Sequence, residues 1–254
     1  MRIRYFSDLH LEFRNLFDPS VIKPGKDEIL ILAGDMGQPN LIEYYGLFEY
    51  LSQNFKKIFY VPGNHEYYSS SNHIGITQEL IPSTLSKFKN ISVLDCKDEV
   101  YEGYHFVGAT MWSHVRDHRY KINDVYSIPE MNISLYNDLN REEVEYLTST
   151  IDSPLAEGVK GRIVITHHIP SESLIDPIYK YDNYNQWFFS DMDDVIRRNS
   201  DKIVGWWYGH THIPLPFGRS HLDVNFYCNP TGYPGEDDRK IEDTTSICVD
   251  ITFM

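Results

Sequence analysis

The chain has 254 residues, of which 41% are hydrophobic and 14% aromatic. This composition can build a sizeable core and excludes a disordered or collagen-like chain. Lys and Arg together number 23 against 37 Asp and Glu, so the formal charge is −14. Nucleic acids and anionic membranes are bound through Lys and Arg, so we expect neither long nucleic acid nor a membrane as partner. A small phosphorylated substrate is compatible with this charge, because bound divalent cations can reverse the local field.

The three cysteines and the N-terminal residues predict a cytoplasmic protein. Cys96, Cys228 and Cys248 show no short CxxC spacing, which favours reduced, packed thiols. No apolar stretch of signal-peptide length follows Met1, and no run approaches the roughly 20 apolar residues of a membrane span.

Short apolar runs rich in Ile, Val, Phe and Tyr are typical of buried strands. Most such runs end in a polar or Gly-containing cluster. Five predicted strands of this kind cover residues 3–6, 28–33, 57–61, 162–165 and 203–208. The pattern of a strand followed by a polar loop therefore occurs five times.

Helices are predicted between several of these strands. Residues 41–55 carry apolar side chains at helical spacing. Residues 140–151 begin with Asn140 and Glu143, a spacing typical of a capping box. Residues 184–198 form a third candidate helix. Alternation of strands and helices favours an α/β fold.

Three further strand candidates, at 105–109, 224–228 and 246–253, are not separated by clear helices and indicate a second sheet. Residues 112–140 show no regular pattern, and so long a loop is usually functional, so we expect a substrate-side segment there. No repeat or linker divides the chain, and we therefore expect one domain over residues 1–254.

The polar clusters contain residues that bind metals. Asp8 and His10 are two positions apart, as are His210 and His212, and on extended backbone this spacing points both side chains the same way. Asp35 offers a carboxylate that can bridge two cations. Asn64 adds a neutral oxygen. Mixed Asp, Asn and His donors suit Mn, Fe, Zn, Co or Ni better than calcium.

Each cluster alone is weak evidence, but their joint position is informative. All five follow predicted strands, and the carboxyl ends of such strands gather at one edge of an α/β sheet. The fourth cluster contains two adjacent histidines, His167 and His168. His167 follows the strand directly and is the favoured ligand, with His168 as the alternative.

The five clusters resemble, in order, the motifs of the calcineurin-like metallophosphoesterase superfamily. They read Asp8-Leu9-His10, Gly34-Asp35, Gly63-Asn64-His65-Glu66, Thr166-His167-His168 and Gly209-His210-Thr211-His212. The resemblance implies a four-layer α/β/β/α sandwich of two packed mixed sheets, with a dinuclear metal site at the sheet rim.

The resemblance also implies residue roles. The first metal would be held by Asp8, His10, Asp35 and His212. The second would be held by Asp35, Asn64, His167 and His210. Asp35 is shared, and His65 would be the catalytic residue that gives a proton to the leaving group or stabilises its charge.

These roles predict hydrolysis of a phosphoester by a hydroxide that bridges two divalent cations. The expected substrate is a small phosphomonoester or phosphodiester, or a phosphoprotein. The alternatives are a nuclease of the same superfamily and a non-catalytic metal-binding interaction module. Thr231 stands where similar bacterial members often have an arginine, which puts any phosphate contact there in doubt; a Gly/Pro turn between strands explains this stretch equally well.

Overall fold

A computed structural model of the chain describes residues 1–68 and 73–251, with the backbone alone at 216–217. The strands are β1 (Arg2–Phe6), β2 (Gly25–Ala33), β3 (Phe55–Val61), β4 (Ile91–Val93), β5 (Lys97–Tyr101), β6 (Tyr104–Ala109), β7 (Arg162–Thr166), β8 (Ile203–Tyr208), β9 (Leu215–His221), β10 (Val224–Cys228) and β11 (Cys248–Asp250). The helices are α1 (Ile42–Asn54), α2 (Ile74–Leu85), α3 (Asp124–Ser127), α4 (Ile133–Asp152), α5 (Asp193–Arg198) and α6 (Ile241–Thr244).

The strands form two mixed sheets. The first has the order β11-β1-β2-β3-β4, in which β1 to β4 are parallel and β11 is antiparallel. The second has the order β5-β6-β7-β8-β10-β9. Its four central strands are parallel, and β5 and β9 are antiparallel edges.

The two sheets pack face to face because alternate side chains of each are apolar. Ile31 and Phe59 point from the first sheet into the core between the sheets, where Phe59 stacks on Phe106 of the second sheet with ring centroids 3.8 Å apart. The outer face of the first sheet is covered by α1 and α2, and that of the second by α4 and α5. The predicted four-layer α/β/β/α sandwich is confirmed.

Parallel register places the ends of the central strands at one edge. Tyr5 pairs with Ile31, and Ile31 pairs with Phe59, so β1, β2 and β3 end side by side. In the second sheet β7 and β8 end at the same edge, and Ser7 forms a bridge to Pro230 across the two sheets. The loops after these strands are therefore neighbours.

Helix α1 confirms the helix predicted over 41–55. The helix predicted over 140–151 corresponds to α4, and its predicted start was wrong. The helix begins at Ile133, and its N-cap is Asn132, whose side chain accepts a hydrogen bond from the Leu135 amide at 3.1 Å. Asn140 lies in the middle of α4, buried, and donates to the Trp112 carbonyl and the Ser190 hydroxyl. The Asn140 side chain, which the sequence pattern predicted to cap a helix, therefore makes tertiary contacts instead.

The predicted helix over 184–198 was also wrong as one continuous element. It is divided into a 3-10 turn, Asn185–Trp187, and the short α5. Between them the backbone pairs with Ile169, which donates to the Phe188 carbonyl and accepts from the Ser190 amide, each at 2.9 Å. These bonds replace those that a continuous helix would make.

Two further predictions need correction. Residues 112–140 are irregular only in part, because α3 and the first turns of α4 lie within them. The strand predicted over 246–253 is limited to β11 among the described residues, and it joins the first sheet rather than the second; residues 252–253 lie outside them. None of the helices in the described part of the chain has the length and hydropathy needed to cross a bilayer.

Candidate metal centre

The loops at this edge hold their polar residues in a strained backbone conformation. Positive φ angles occur at five candidate ligands: Asp8, His10, Asp35, His210 and His212. A residue other than glycine in this conformation costs about 1–3 kcal/mol, and such strain concentrates at functional sites. The extended backbone expected for the two i, i+2 pairs is thus replaced by left-handed turns, which still bring the side chains together.

Two glycines of the motifs let these loops approach closely. A Cβ atom on Gly34 would lie 2.2 Å from Nδ1 of His167, and one on Gly63 would lie 2.1 Å from Oδ1 of Asp35. No side chain fits at either position, so the glycine before each ligand is required by the packing of the site.

Three donor residues, Asp8, His10 and His212, converge on one side of Asp35. Nε2 of His10 lies 3.1 Å from Nε2 of His212 and 3.8 Å from Oδ2 of Asp35. Nε2 of His212 is 3.5 Å from Oδ1 of Asp8. Asp8, His10 and Asp35 are buried, so these atoms face one another rather than water.

A second group converges on the other side of the same carboxylate. Nε2 of His167 lies 3.3 Å from Oδ2 of Asp35 and 2.9 Å from Oδ1 of Asn64. Nδ1 of His210 lies 3.2 Å from the same His167 nitrogen. The structure thus brings together all seven predicted ligands, with Asp35 between the two groups. We call these seven residues the donor rim: Asp8, His10, Asp35, Asn64, His167, His210 and His212.

Acceptors behind the rings orient three of the histidines. Nδ1 of His10 lies 3.1 Å from Glu12, Nδ1 of His212 lies 2.7 Å from Glu236, and Nδ1 of His167 lies 2.8 Å from the Ala33 carbonyl. An N–H that donates outward leaves Nε2 with its lone pair toward the site, as in metal-binding histidines generally. The donor set therefore fits divalent cations.

Asn64 is oriented in the same way by a residue of the segment 112–140. Its Nδ2 donates to Oδ1 of Asp124 at 2.8 Å, and Tyr68 donates to the same oxygen at 2.6 Å. The amide oxygen of Asn64 is left to face the site. Burial raises the pKa of Asp124, although the two hydrogen bonds oppose this shift.

His168 does not join the donor rim. Its Nε2 lies 3.2 Å from the Tyr136 hydroxyl and its Nδ1 lies 3.3 Å from the Thr110 carbonyl. Burial, and then the charge of His167, lower the pKa of His168 to about 3, so it is a neutral, packed ring. Of the two adjacent histidines, His167 is the one placed with the other donors.

The electrostatics of the donor rim favour bound positive charge. Burial alone would raise the pKa of Asp8 and of Asp35, but the neighbouring imidazoles outweigh it and hold both below their usual range. Burial would lower the pKa of His167 and of His212, but nearby carboxylates raise them to about 9 and about 10. The anionic carboxylates thus stabilise positive charge at the donor rim, as they would stabilise bound cations.

A family model described as calcineurin-like phosphoesterase matches residues 1–214. The chain belongs to the calcineurin-like phosphoesterase family. The family binds divalent metals and hydrolyses phosphoesters, in agreement with the donor rim.

One relative and one solved structure are similar to this chain over most of its length. The uncharacterized protein L509 of Acanthamoeba polyphaga mimivirus is 30% identical over 280 residues, which cover 92% of this chain and 96% of that protein. The crystal structure of phosphopantetheinyl hydrolase from Mycobacterium tuberculosis matches with a TM-score of 0.73 and 18% identity, over 91% of this chain and 89% of that one. At this identity the second likeness supports the fold alone.

His65 adjoins the donor rim. Its amide donates to Oδ1 of Asp35 at 2.8 Å, and its ring stacks on Tyr68 with centroids 4.1 Å apart. Nδ1 lies 2.8 Å from Glu12, and Nε2 lies 3.3 Å from the Tyr233 hydroxyl in the open cleft. Burial opposes a charged ring, but Asp35 and Glu12 outweigh it and raise the pKa of His65.

Sequence reasoning missed two buried carboxylates that support this phosphoesterase site. Oε1 of Glu12 contacts both His10 and His65. Glu66 accepts from the amides of Asp35, Met36 and Gly63 and so joins the second and third loops. Burial, and then the charge of Asp35, raise the pKa of Glu66 to about 7. The position of Glu66 within the third motif was the available signal, whereas Glu12 had none.

Thr231 has a structural contact in place of a phosphate contact. It is buried, and its hydroxyl lies 2.6 Å from the Asp8 carbonyl. This bond connects the loop after β10 to the first motif, in agreement with the turn interpretation.

Proposed function

We propose that this chain hydrolyses phosphoesters with two divalent cations of the Mn, Fe, Zn, Co or Ni type. The observation that best supports this proposal is the position of Asp35 between the two donor groups. Its Oδ2 lies 3.8 Å from Nε2 of His10 on one side and 3.3 Å from Nε2 of His167 on the other. Asp8, His10 and His212 would complete the first site. Asn64, His167 and His210 would complete the second.

When bound, the two cations would lower the pKa of a shared water to give a bridging hydroxide and would draw charge from the phosphoryl oxygens. The residues of the chain prepare for this chemistry. Glu12, Glu236 and the Ala33 carbonyl fix the imidazoles in one tautomer, so the site needs little reorganisation when cations enter.

His65 is proposed to protonate the leaving oxygen. Its Nδ1 is held by Glu12, so the proton available for transfer lies on Nε2, which faces the cleft. Asp35 and Glu12 raise the pKa of His65, which favours a ring that carries this proton.

The proposed substrate is a small phosphorylated molecule or a phosphoprotein rather than long nucleic acid, because the chain carries a charge of −14. No membrane partner is proposed. A cytoplasmic location is proposed on the cysteines, all three of which are unpaired.

A metal titration tests the proposal. The metal-stripped chain is supplied with Mn, Fe, Zn, Co or Ni and assayed with a chromogenic phosphomonoester and a chromogenic phosphodiester. Metal-dependent turnover is expected for at least one combination of metal and substrate. Metal binding without turnover would instead favour an interaction module, and turnover of DNA alone would favour a nuclease.

A further inference from the structure

The cleft in front of the donor rim has two kinds of wall. Its volume is about 360 Å³, at the small end of the range for small-molecule sites. One wall contains His65 and four residues of the donor rim, Asp35, Asn64, His210 and His212. The other, which we call the apolar wall, consists of Ile122, Ile169, Ile175, Tyr179, Tyr184 and Phe188.

The apolar wall touches the metal centre directly. The ring of Phe188 lies 4.7 Å from that of His210, centroid to centroid. Farther out, Tyr184 packs edge-to-face on Tyr120 at 5.6 Å, and Tyr179 and Tyr184 are each 42% exposed. A group attached to phosphorus on this side would therefore meet aromatic and aliphatic surface.

The cleft lacks the usual cationic side chains for phosphate. Outside the donor rim and His65, its ionisable carboxyl groups are those of Asp124, Asp182 and Glu236, and none of its described lining residues is Lys or Arg. Residues 69–72 and 252–254, which the structure does not describe, contain no Lys or Arg in the sequence either. Lys121 and Lys180 adjoin lining residues but do not line the cleft.

These charges discriminate between classes of phosphoester. A phosphomonoester carries nearly two negative charges at neutral pH, because its second pKa is about 6, whereas a phosphodiester carries one. Sites for dianionic phosphate usually supply Arg or Lys for the extra charge. Here the described lining outside the donor rim adds carboxylates and no guanidinium or ammonium group to take up the extra charge.

We propose that the substrate is a phosphodiester monoanion whose retained group is apolar or aromatic and packs on the apolar wall. This inference rests on the proposed function. The oxygen of a water forms a bond to phosphorus as the water gives up a proton to solvent. The bond to the leaving oxygen breaks, that oxygen takes a proton from His65, and His65 regains a proton from solvent. The products are an alcohol and a phosphomonoester that retains the apolar group.

Three chromogenic substrates that share the same leaving group separate the effect of the phosphate charge from the effect of packing on the apolar wall. They are p-nitrophenyl phosphate, methyl p-nitrophenyl phosphate and phenyl p-nitrophenyl phosphate. We expect kcat/KM, divided by the uncatalysed rate constant, to rise from the first to the second, and by roughly tenfold or more from the second to the third. A preference for the monoester overturns the inference, as does equal use of the methyl and phenyl diesters. No turnover of any of them with any metal contradicts the proposed function itself.

Substitutions in the cleft test whether the apolar wall causes the preference for the phenyl over the methyl diester. Tyr184→Ala should reduce the advantage of phenyl over methyl by about three- to tenfold. The matched control is Tyr181→Ala, since Tyr181 is in the same segment, 90% exposed and outside the cleft lining. An unchanged ratio in Tyr184→Ala, or an equal change in the control, contradicts packing on the apolar wall.

A second pair of variants tests the charge. Asp182→Asn should raise kcat/KM for the monoester by about two- to fivefold relative to the diesters. Asp182 accepts a hydrogen bond from the amide two residues later, and so does Asp191, which lies outside the cleft. Asp191→Asn is therefore the matched control, and an equal effect of both variants contradicts a local charge effect.

Binding can be measured where turnover is slow. Calorimetry with the metal-loaded His65→Ala variant, which should retain metal but hydrolyse diphenyl phosphate slowly, should show tighter binding of diphenyl phosphate than of phenyl phosphate. The difference should shrink in Tyr184→Ala. Tighter binding of phenyl phosphate would overturn the inference independently of any rate.

Discussion

The donor rim and the apolar wall border one cleft but are built differently. Rim residues follow buried strands, and Asp8, His10 and His167 have no exposed surface. The segment that supplies most of the wall contains three short 3-10 turns, Glu172–Leu174, Pro177–Tyr179 and Asn185–Trp187. The difference indicates that the rim is fixed for chemistry, whereas the wall can vary to suit a substrate.

The donor rim and the apolar wall also differ in their hydrogen bonds. Asp35 accepts from the His65 amide, and its own amide donates to Glu66. Tyr184 contributes mainly ring surface. Changes at the rim should therefore remove activity, and changes at the wall should alter the choice of substrate.

The largest effect is expected at the shared carboxylate. Asp35→Ala should abolish metal binding and turnover together, because both donor groups lose a ligand. Metal content by mass spectrometry and hydrolysis rates would be measured on the same samples. Asp27→Ala, at an exposed position of β2, is the control. Full metal content in Asp35→Ala would refute the bridging role.

A substitution at His65 should separate metal binding from catalysis, because His65 adjoins the donor rim but is not one of its ligands. His65→Ala should retain metal but lose roughly 10²–10⁴ in kcat with a substrate that has a poor leaving group. The loss should be smaller with p-nitrophenol, which leaves without a proton. Undiminished turnover of the poor-leaving-group substrate would exclude the role as proton donor.

Glu12 tests the support behind the rim. Glu12→Gln should lower activity by roughly 10–100-fold, because a neutral amide oxygen accepts more weakly from His10 and His65 than the charged carboxylate does. The substrate ratio set by the wall should not change. Glu49→Gln, at an exposed position of α1, provides the comparison, and a shifted substrate ratio in Glu12→Gln would show that rim and wall are not independent.

The smallest effect is expected outside both regions. Asn132→Ala removes the N-cap of α4 and should lower the free energy of unfolding by about 1 kcal/mol. Denaturant unfolding would measure the loss, and kcat should stay at the level of the unchanged chain. A marked fall in kcat would mean that α4 positions the site more directly than its contacts indicate.

The proximity of the rim residues could be predicted in part because they directly follow recognisable strands. Asp35 and Asn64 could be assigned to one edge from the strand pattern alone, since the parallel neighbours β2 and β3 end together. That His167 meets them depends on the packing of the second sheet on the first. The wall could not be predicted in this way, because Tyr184 and Phe188 resemble one face of a helix that the pairing with Ile169 interrupts. The cap predicted at Asn140 was wrong for the same reason, because the partners of its side chain are distant in sequence.

The most direct test of the two-metal centre is anomalous diffraction from crystals of the manganese-loaded chain. We expect two peaks roughly 3.5–4 Å apart. One should lie among Asp8, His10 and His212, the other among Asn64, His167 and His210, with Asp35 between them. A single peak, or two peaks that Asp35 does not join, would contradict the proposed centre.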